Sequence, residues 1–205
     1  MMATTATTKT DPRVKRTREL LVQAFFALLG ERGFRAITVQ DIAERATVNR
    51  ATFYAHFEDK FALMDSIMRE RFTALLAQRL PEGSAFTRAN LQLLARVVCE
   101  QLAEMRDHEC RPIDHAQFEP LAETAIQEEL HTFLTAWLRR LPAATRPPSA
   151  SVATVAMAMS WAIFGAGLRW SRGGRELTAE AQARQLVAVL MEGMPQALGV
   201  GGQIG

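Results

Sequence analysis

The chain is poor in cysteine, with only Cys99 and Cys110 in 205 residues, and that scarcity excludes a disulfide framework. Eleven positions apart on one helix, the two thiols would lie ~16 Å from each other at 1.5 Å per residue, beyond bridging distance. Charge of one sign is also short. Lys and Arg number 24 against 22 Asp and Glu, so the net +2 names no partner by itself. The first nineteen residues hold Thr, Ala and charges but no apolar run, so no secretory signal is expected and the expected location is the cytoplasm. Alternating strand patterns and internal repeats are missing. So are a Gly-rich phosphate loop, a nucleophile elbow and a His-Glu-x-x-His run, which leaves an enzyme with only scattered acid and base groups and no cofactor motif.

What is present is a helical pattern from end to end. Hydrophobic residues make up 48% and charged residues 22%, a globular composition long enough for a sizeable core. The spacing predicts a first helix over residues 14–32, with Leu20, Leu21, Ala24, Phe25, Leu28 and Leu29 inward and Gly33 as its stop. Further helices are expected over 59–80 and 86–106. The stretch 107–119, interrupted by Pro112, reads as irregular or a short helix, and a longer helix runs on to 141.

Residues 38–57 carry the most information. Thr38 followed by Asp41 is a capping-box-like start. Val39, Ile42, Ala43 and Ala46 then recur at helical spacing, with Gln40, Glu44 and Arg45 on the wet side. Thr47 and Val48 make a turn, and Asn49 caps a second helix running to about 57. There Phe53 and Phe57 point inward and leave Asn49, Arg50, Ala51, Thr52, Tyr54 and His56 outward. This exposed set is basic, polar and small. Arg and Asn are the usual readers of guanine and adenine, and hydroxyls bond phosphate oxygens, so two short helices joined this way suit the DNA major groove. The charge agrees: residues 1–60 hold ten Lys and Arg against seven Asp and Glu, whereas the rest hold fourteen against fifteen. Lys9, Arg13, Lys15, Arg16 and Arg18 form a basic arm beside the motif, suited to phosphate or minor-groove contacts.

The run Ala51-Thr52-Phe53-Tyr54-Ala55-His56-Phe57-Glu58-Asp59-Lys60-Phe61-Ala62-Leu63 resembles the DNA-binding signature of the tetracycline-repressor (TetR/AcrR) family of bacterial transcription regulators. The resemblance implies that Thr38 and Lys60 hold phosphates, that Gln40 leans into the groove, and that Asn49, Arg50 and Ala51 meet base edges. It also implies that Thr52, Tyr54 and His56 grip the backbone or an adjacent base. The family commonly has Gly where this chain has Thr47, a turn position that often needs φ > 0 and is costly for a β-branched residue. The expected fold is all-α. A flexible arm (1–12) and a three-helix helix-turn-helix DNA-binding domain (13–60) precede a helical ligand-binding and dimerisation domain (61–205).

Between Arg146 and Arg169 lie twenty-two uncharged residues, a length able to span a membrane. Ser149, Ser151, Thr154 and Ser160 dilute its hydrophobicity, however, and basic and aromatic flanking on both sides is missing. Burial on all sides is the simpler reading, one face on its own domain and the other on a second copy. The expected homodimer seam comprises Val152, Val155, Ala156, Met159, Ile163 and Ala166, joined by Ala183, Leu186, Val187, Leu190 and Met194 from a last helix over 177–198. Two helices from each subunit would form a four-helix bundle across a two-fold axis, so the DNA partner would be a palindromic operator.

Large adaptable side chains in the body, namely Met105, Phe118, Phe133, Trp137, Met157, Trp161 and Phe164, are candidates to line a site for a hydrophobic small molecule of unknown identity. The resemblance likewise implies a ligand pocket. The other reading of the body is a metal- or thiol-responsive sensor built on His108, Cys110 and His115, with Glu109, Asp114 and Glu119 nearby; their spacing matches no strong metal signature. More remote alternatives are a membrane-associated helical protein and an enzyme.

Overall fold

The computed structural model describes residues 11–107, 115–142 and 150–192, without the side chains of 115–118. Among the described residues there are eight helices and no strand. They fall into two compact units. One gathers the described residues up to Ile67 with the start of the sixth helix; the other takes up from Met68, so the division lies inside a helix.

In the first unit, α1 spans Pro12–Arg32. Asp11 caps it by accepting from the Arg13 N–H at 2.9 Å, and Pro12 sits at the first position, where its missing N–H costs nothing. Leu21, Ala24, Phe25 and Leu28 are buried. Leu20, expected inside, is instead 37% exposed, and Leu29 is half-buried, so the buried stripe is narrower than the apolar one. Gly33 ends the helix at φ 77° with its N–H on the Leu29 carbonyl. The turn beyond inserts Phe34 and Ile37 into the core.

Helix α2 (Val39–Arg45) opens on a complete capping box. Thr38 Oγ1 accepts from the Asp41 N–H at 3.1 Å, and Asp41 Oδ2 accepts from the Thr38 N–H at 2.8 Å. It closes on a Schellman turn: the Val48 N–H reaches the Ala43 carbonyl at 2.9 Å and the Thr47 N–H reaches Glu44 at 3.0 Å. That geometry needs a left-handed residue at Thr47, and its φ is 57°. Helix α3 (Arg50–Tyr54) is shorter than expected; Phe57 lies beyond it but still packs on Phe53 with ring centroids 5.8 Å apart. Helix α4 (Lys60–Arg79) is capped by Asp59, which accepts from the Ala62 N–H at 2.7 Å.

In the second unit the last part of α4 joins α5 (Arg88–Asp107), α6 (His115–Arg139), α7 (Val152–Arg172) and α8 (Ala179–Glu192). Helix α6 begins before Pro120, where an irregular segment or a short helix was expected; Pro120 lies inside the helix and supplies no backbone N–H there. The core is built on Leu91, Leu94, Val98 and Leu102 of α5, Leu130 and Leu134 of α6, Ile163 of α7 and Val187 of α8; the buried Ser160 and Ser171 hydroxyls of α7 donate back to the Met157 and Leu168 carbonyls. Helix α7 presses closely on α5. A Cβ placed on Gly167 would stand 3.2 Å from Leu102 Cδ1 and 3.3 Å from Val98 Cγ1, closer than side chains settle without giving way. Cys99, in the same layer, is buried, and burial first and then Glu100 push its thiol up to about 11.

This packing corrects the expected dimer seam. Ala156, Ile163, Ala183 and Val187 are at most 1% exposed, and Met159 is also buried, all within the chain's own core. Val152, Val155, Leu186 and Leu190 pack against that core, Ala166 is half-buried, and Met194 lies outside the described residues. The open face of α7 carries Thr154, Met157, Ala158, Trp161 and Gly165 instead, with Trp161 57% exposed. Apolar residues surround this helix, so its sequence holds no phase to say which side faces in. Among the described residues α7 is also the one helix long and apolar enough to cross a membrane.

Candidate nucleic-acid interface

Phe53 and Phe57 anchor α3 in the core, and what remains outside is the set read from the sequence. Asn49, Arg50, Ala51 and Tyr54 are exposed, with Thr52 and His56 half-buried beside them. Arg50 is pre-arranged: its Nη2 donates to Tyr54 Oη at 3.0 Å and its guanidinium carbon lies 5.4 Å from the Tyr54 ring centroid. Asn49 Oδ1 caps the helix by accepting from the Ala51 N–H at 2.9 Å, which directs its amide nitrogen, with two N–H donors, to a base edge as the main contact left. On α2, Gln40 Nε2 donates to Glu44 at 2.6 Å.

Charged clasps hold these helices in register. Arg45 makes a bidentate pair with Glu31, at 2.8 and 2.7 Å, tying the end of α2 to the end of α1. Arg32 reaches Asp41 at 2.9 Å. Hydrogen bonds from the Thr38 hydroxyl and N–H, then the charge of Arg32, hold the Asp41 carboxyl below its ordinary range. Arg18 Nη2 donates to Ser66 Oγ at 2.7 Å and lies 5.3 Å from the Phe57 ring centroid.

Lys60 stands apart from its expected role. Its ammonium donates to the carbonyls of Phe34, Arg35 and Ile37 at 3.0, 3.3 and 2.8 Å, and lies 4.8 Å from the Phe34 ring centroid. Three N–H donors meet three acceptors, so the charge locks the turn that leads into Thr38 and is not held out toward a phosphate. Sequence reasoning missed this clamp because the carbonyls lie more than twenty residues upstream. The Thr38 and Asp41 pair, three apart, was readable directly.

Of the seven expected ligand-site residues, the structure brings together Phe133 and Trp137. Both line a cavity of about 220 Å³ between the last turns of α4 and the second half of α6, with Thr73, Leu76, Ala77, Leu80, Glu129, Thr132, Ala136 and Arg140 among its walls. Met105 is half-buried against the core, Phe164 is buried, and Met157 and Trp161 lie on the open face of α7. The side chain of Phe118 is outside the described residues. So are His108 and Cys110 and the side chain of His115; among the described residues no three His, Cys, Asp or Glu side chains gather as for a metal.

Residues 21–67 match the family model described as bacterial regulatory proteins, tetR family. The chain carries a TetR-family DNA-binding domain. The TetR-family match covers α1 from Leu21 through the first turns of α4, the segment whose exposed face has just been described. Beyond it, the chain is 27% identical over 192 residues to the HTH-type transcriptional repressor KstR2 of Rhodococcus jostii, covering 88% of this chain and 91% of that one. Over 71 residues it is 42% identical to the HTH-type transcriptional regulator YdeS of Bacillus subtilis, about a third of either chain. Two solved structures share the fold. RolR in complex with resorcinol gives a TM-score of 0.55 at 15% identity, covering 94% of this chain and 96% of that one. A TetR regulator from Streptococcus agalactiae gives 0.50 at 19%, covering 88% and 96%. Along its length the chain is thus similar to TetR-type regulators of transcription, and its described residues form an all-helical body.

Proposed function

We propose that this regulator is a dimeric repressor that seats two α3 helices on a palindromic operator and leaves it when a small molecule binds the helical body. The observation that carries this reading is the Arg50 and Tyr54 couple, exposed on a helix that Phe53 and Phe57 anchor from behind. Two-fold symmetry supplies inverted half-sites, and recognition helices one turn of DNA apart, ~34 Å, read them together. A DNA partner implies a cytoplasmic protein, and no catalytic constellation is needed.

The open face of α7 supports dimerisation. Met157 and Trp161 are more than half exposed, and Val189 and Met191 of α8 add apolar surface. Large apolar side chains left this exposed favour a partner over water. Helix α4 supports the switch, because Lys60 at its start holds the carbonyls before Thr38 while Thr73, Leu76 and Ala77 further along line the cavity. A ligand that prefers a different setting of α4 must weaken DNA binding, and DNA must weaken the ligand equally; typical couplings give roughly 5- to 150-fold.

Selection of an operator from random duplex DNA, followed by fluorescence anisotropy on the selected palindrome, tests the reading. Arg50→Ala is expected to lose ~1–3 kcal/mol of discrimination at one base pair in each half-site, while Tyr54→Phe weakens all sequences alike. Recovery of no duplex, or both variants equal to wild type, removes it.

A further inference from the structure

The cavity between α4 and α6 has walls of sharply different character, and they specify a ligand. One side is apolar, formed by Leu76, Leu80, Phe133 and Trp137. The Trp137 indole is fixed: its Nε1 donates to the Ser84 carbonyl at 2.7 Å, and the rings of Phe86 and Phe133 stand 5.0 and 5.5 Å from it, centroid to centroid. These rings present edges and faces to whatever enters, an arrangement that suits a flat aromatic body. Ala77 of α4 and Ala136 of α6 also line the cavity, and side chains that short leave room between the two helices.

The charges at the two ends are not equivalent. Glu129 is committed, receiving Arg69 at 3.1 Å and the Thr73 hydroxyl at 3.0 Å. Among the described residues Arg140 is held only by Glu82, at 3.1 Å, and Glu82 is 89% exposed. An ion pair that open is worth little, so an incoming anion displaces Glu82 at small cost. A guanidinium takes a carboxylate through two parallel hydrogen bonds, which the single contact to Glu82 does not use. Glu129 repels an anion from the other end and so fixes its direction. Size completes the description: about 220 Å³ falls below the ~300–1,000 Å³ of pockets for drug-sized molecules, too small for a long acyl chain.

We infer that this cavity binds a compact aromatic carboxylate of one or two rings, its ring against Trp137 and Phe133 and its carboxylate on Arg140. The inference rests on the ligand-released regulator proposed above and names the class of molecule that regulator senses.

Calorimetric titration of the full chain with 1-naphthoate, 1-naphthalenemethanol and laurate tests it. Naphthoate is expected to saturate. Loss of the charged hydrogen bonds, in the neutral alcohol or in Arg140→Gln, is expected to weaken binding about tenfold or more. Ala136→Leu, which fills the cavity from an exposed helix position, is expected to abolish it with the melting temperature unchanged. Absence of saturation by naphthoate, laurate binding at least as tightly, or naphthoate affinity unchanged in both variants overturns the inference. These titrations contain no DNA, so failure of the operator experiment overturns only the repressor reading, and failure here overturns only the ligand class.

Discussion

The two units hold themselves together by opposite means. Around α2 and α3 the helices are short, and directed polar contacts fix them: the Thr38 and Asp41 box, the Asn49 cap, the Arg45 to Glu31 clasp and the Lys60 ammonium on three carbonyls. Between α5 and α7 the contact is apolar, with Gly167 letting two long helices approach. Directed contacts set which side chains are left outside. Apolar packing sets how much surface is buried but is indifferent, in sequence terms, to the side on which burial happens.

The largest effect tests the two sides of α7 against each other. Ala156→Arg places an unpaired charge at a fully buried position and is expected to cost on the order of 3–5 kcal/mol, enough to prevent folding. Trp161→Arg on the open face is expected to leave a folded monomer where wild type, on the proposed reading, is a dimer. Thermal unfolding and light scattering read both, and similar behaviour of the two variants would erase the distinction between the faces.

Lys60→Met probes the polar unit. Losing charged hydrogen bonds to three carbonyls is expected to cost ~1.5–3 kcal/mol of stability. The slope of log affinity for operator against log salt should stay as in wild type, because each phosphate contact contributes about 0.9 to that slope and an ammonium held by three carbonyls is expected to make none. A shallower slope restores the phosphate role.

Gly167→Ala against Gly165→Ala sharpens the packing side. The first is expected to destabilise by ~1–3 kcal/mol, since Val98 and Leu102 must move. The second meets open space and should gain up to ~1 kcal/mol from helix propensity. Chemical denaturation resolves the pair, and equal shifts would mean that α5 and α7 do not approach closely at position 167. The smallest change is Thr47→Gly, expected to stabilise by ~1 kcal/mol by relieving a left-handed β-branched residue. A loss of stability would show that the threonine side chain contributes more than its backbone costs.

The contrast also explains what was legible in the sequence. Capping residues betray helix starts because their chemistry is local, so Thr38, Asp41 and Asn49 located α2 and α3, and Phe53 with Phe57 gave the inward face. The unusual turn at Thr47 was readable for the same reason. Helix α7 was found as an element, but its inward face was misread. Met157 and Trp161 looked like pocket but lie on the open face of α7, while Ala156 and Ile163 looked like interface but lie in the chain's own core. The cavity was half-legible: Phe133 and Trp137 stood out as aromatics, whereas Ala77, Ala136 and Arg140 matter only once α4 and α6 are side by side.

The stacked Arg50 has a consequence for the entropy and speed of association. A free arginine gives up as much as ~1.5–2 kcal/mol of rotamer freedom when it is immobilised. Here Tyr54 holds the guanidinium from the side and below, so part of that loss is taken when the chain folds and is absent from the encounter with DNA. Arginine Nε–Hε order parameters in the DNA-free protein report this directly. They should be high at Arg50, fall in Tyr54→Ala, and be accompanied in that variant by a less favourable entropy of operator binding; equal order in both proteins would mean that the ring does not restrain the arginine.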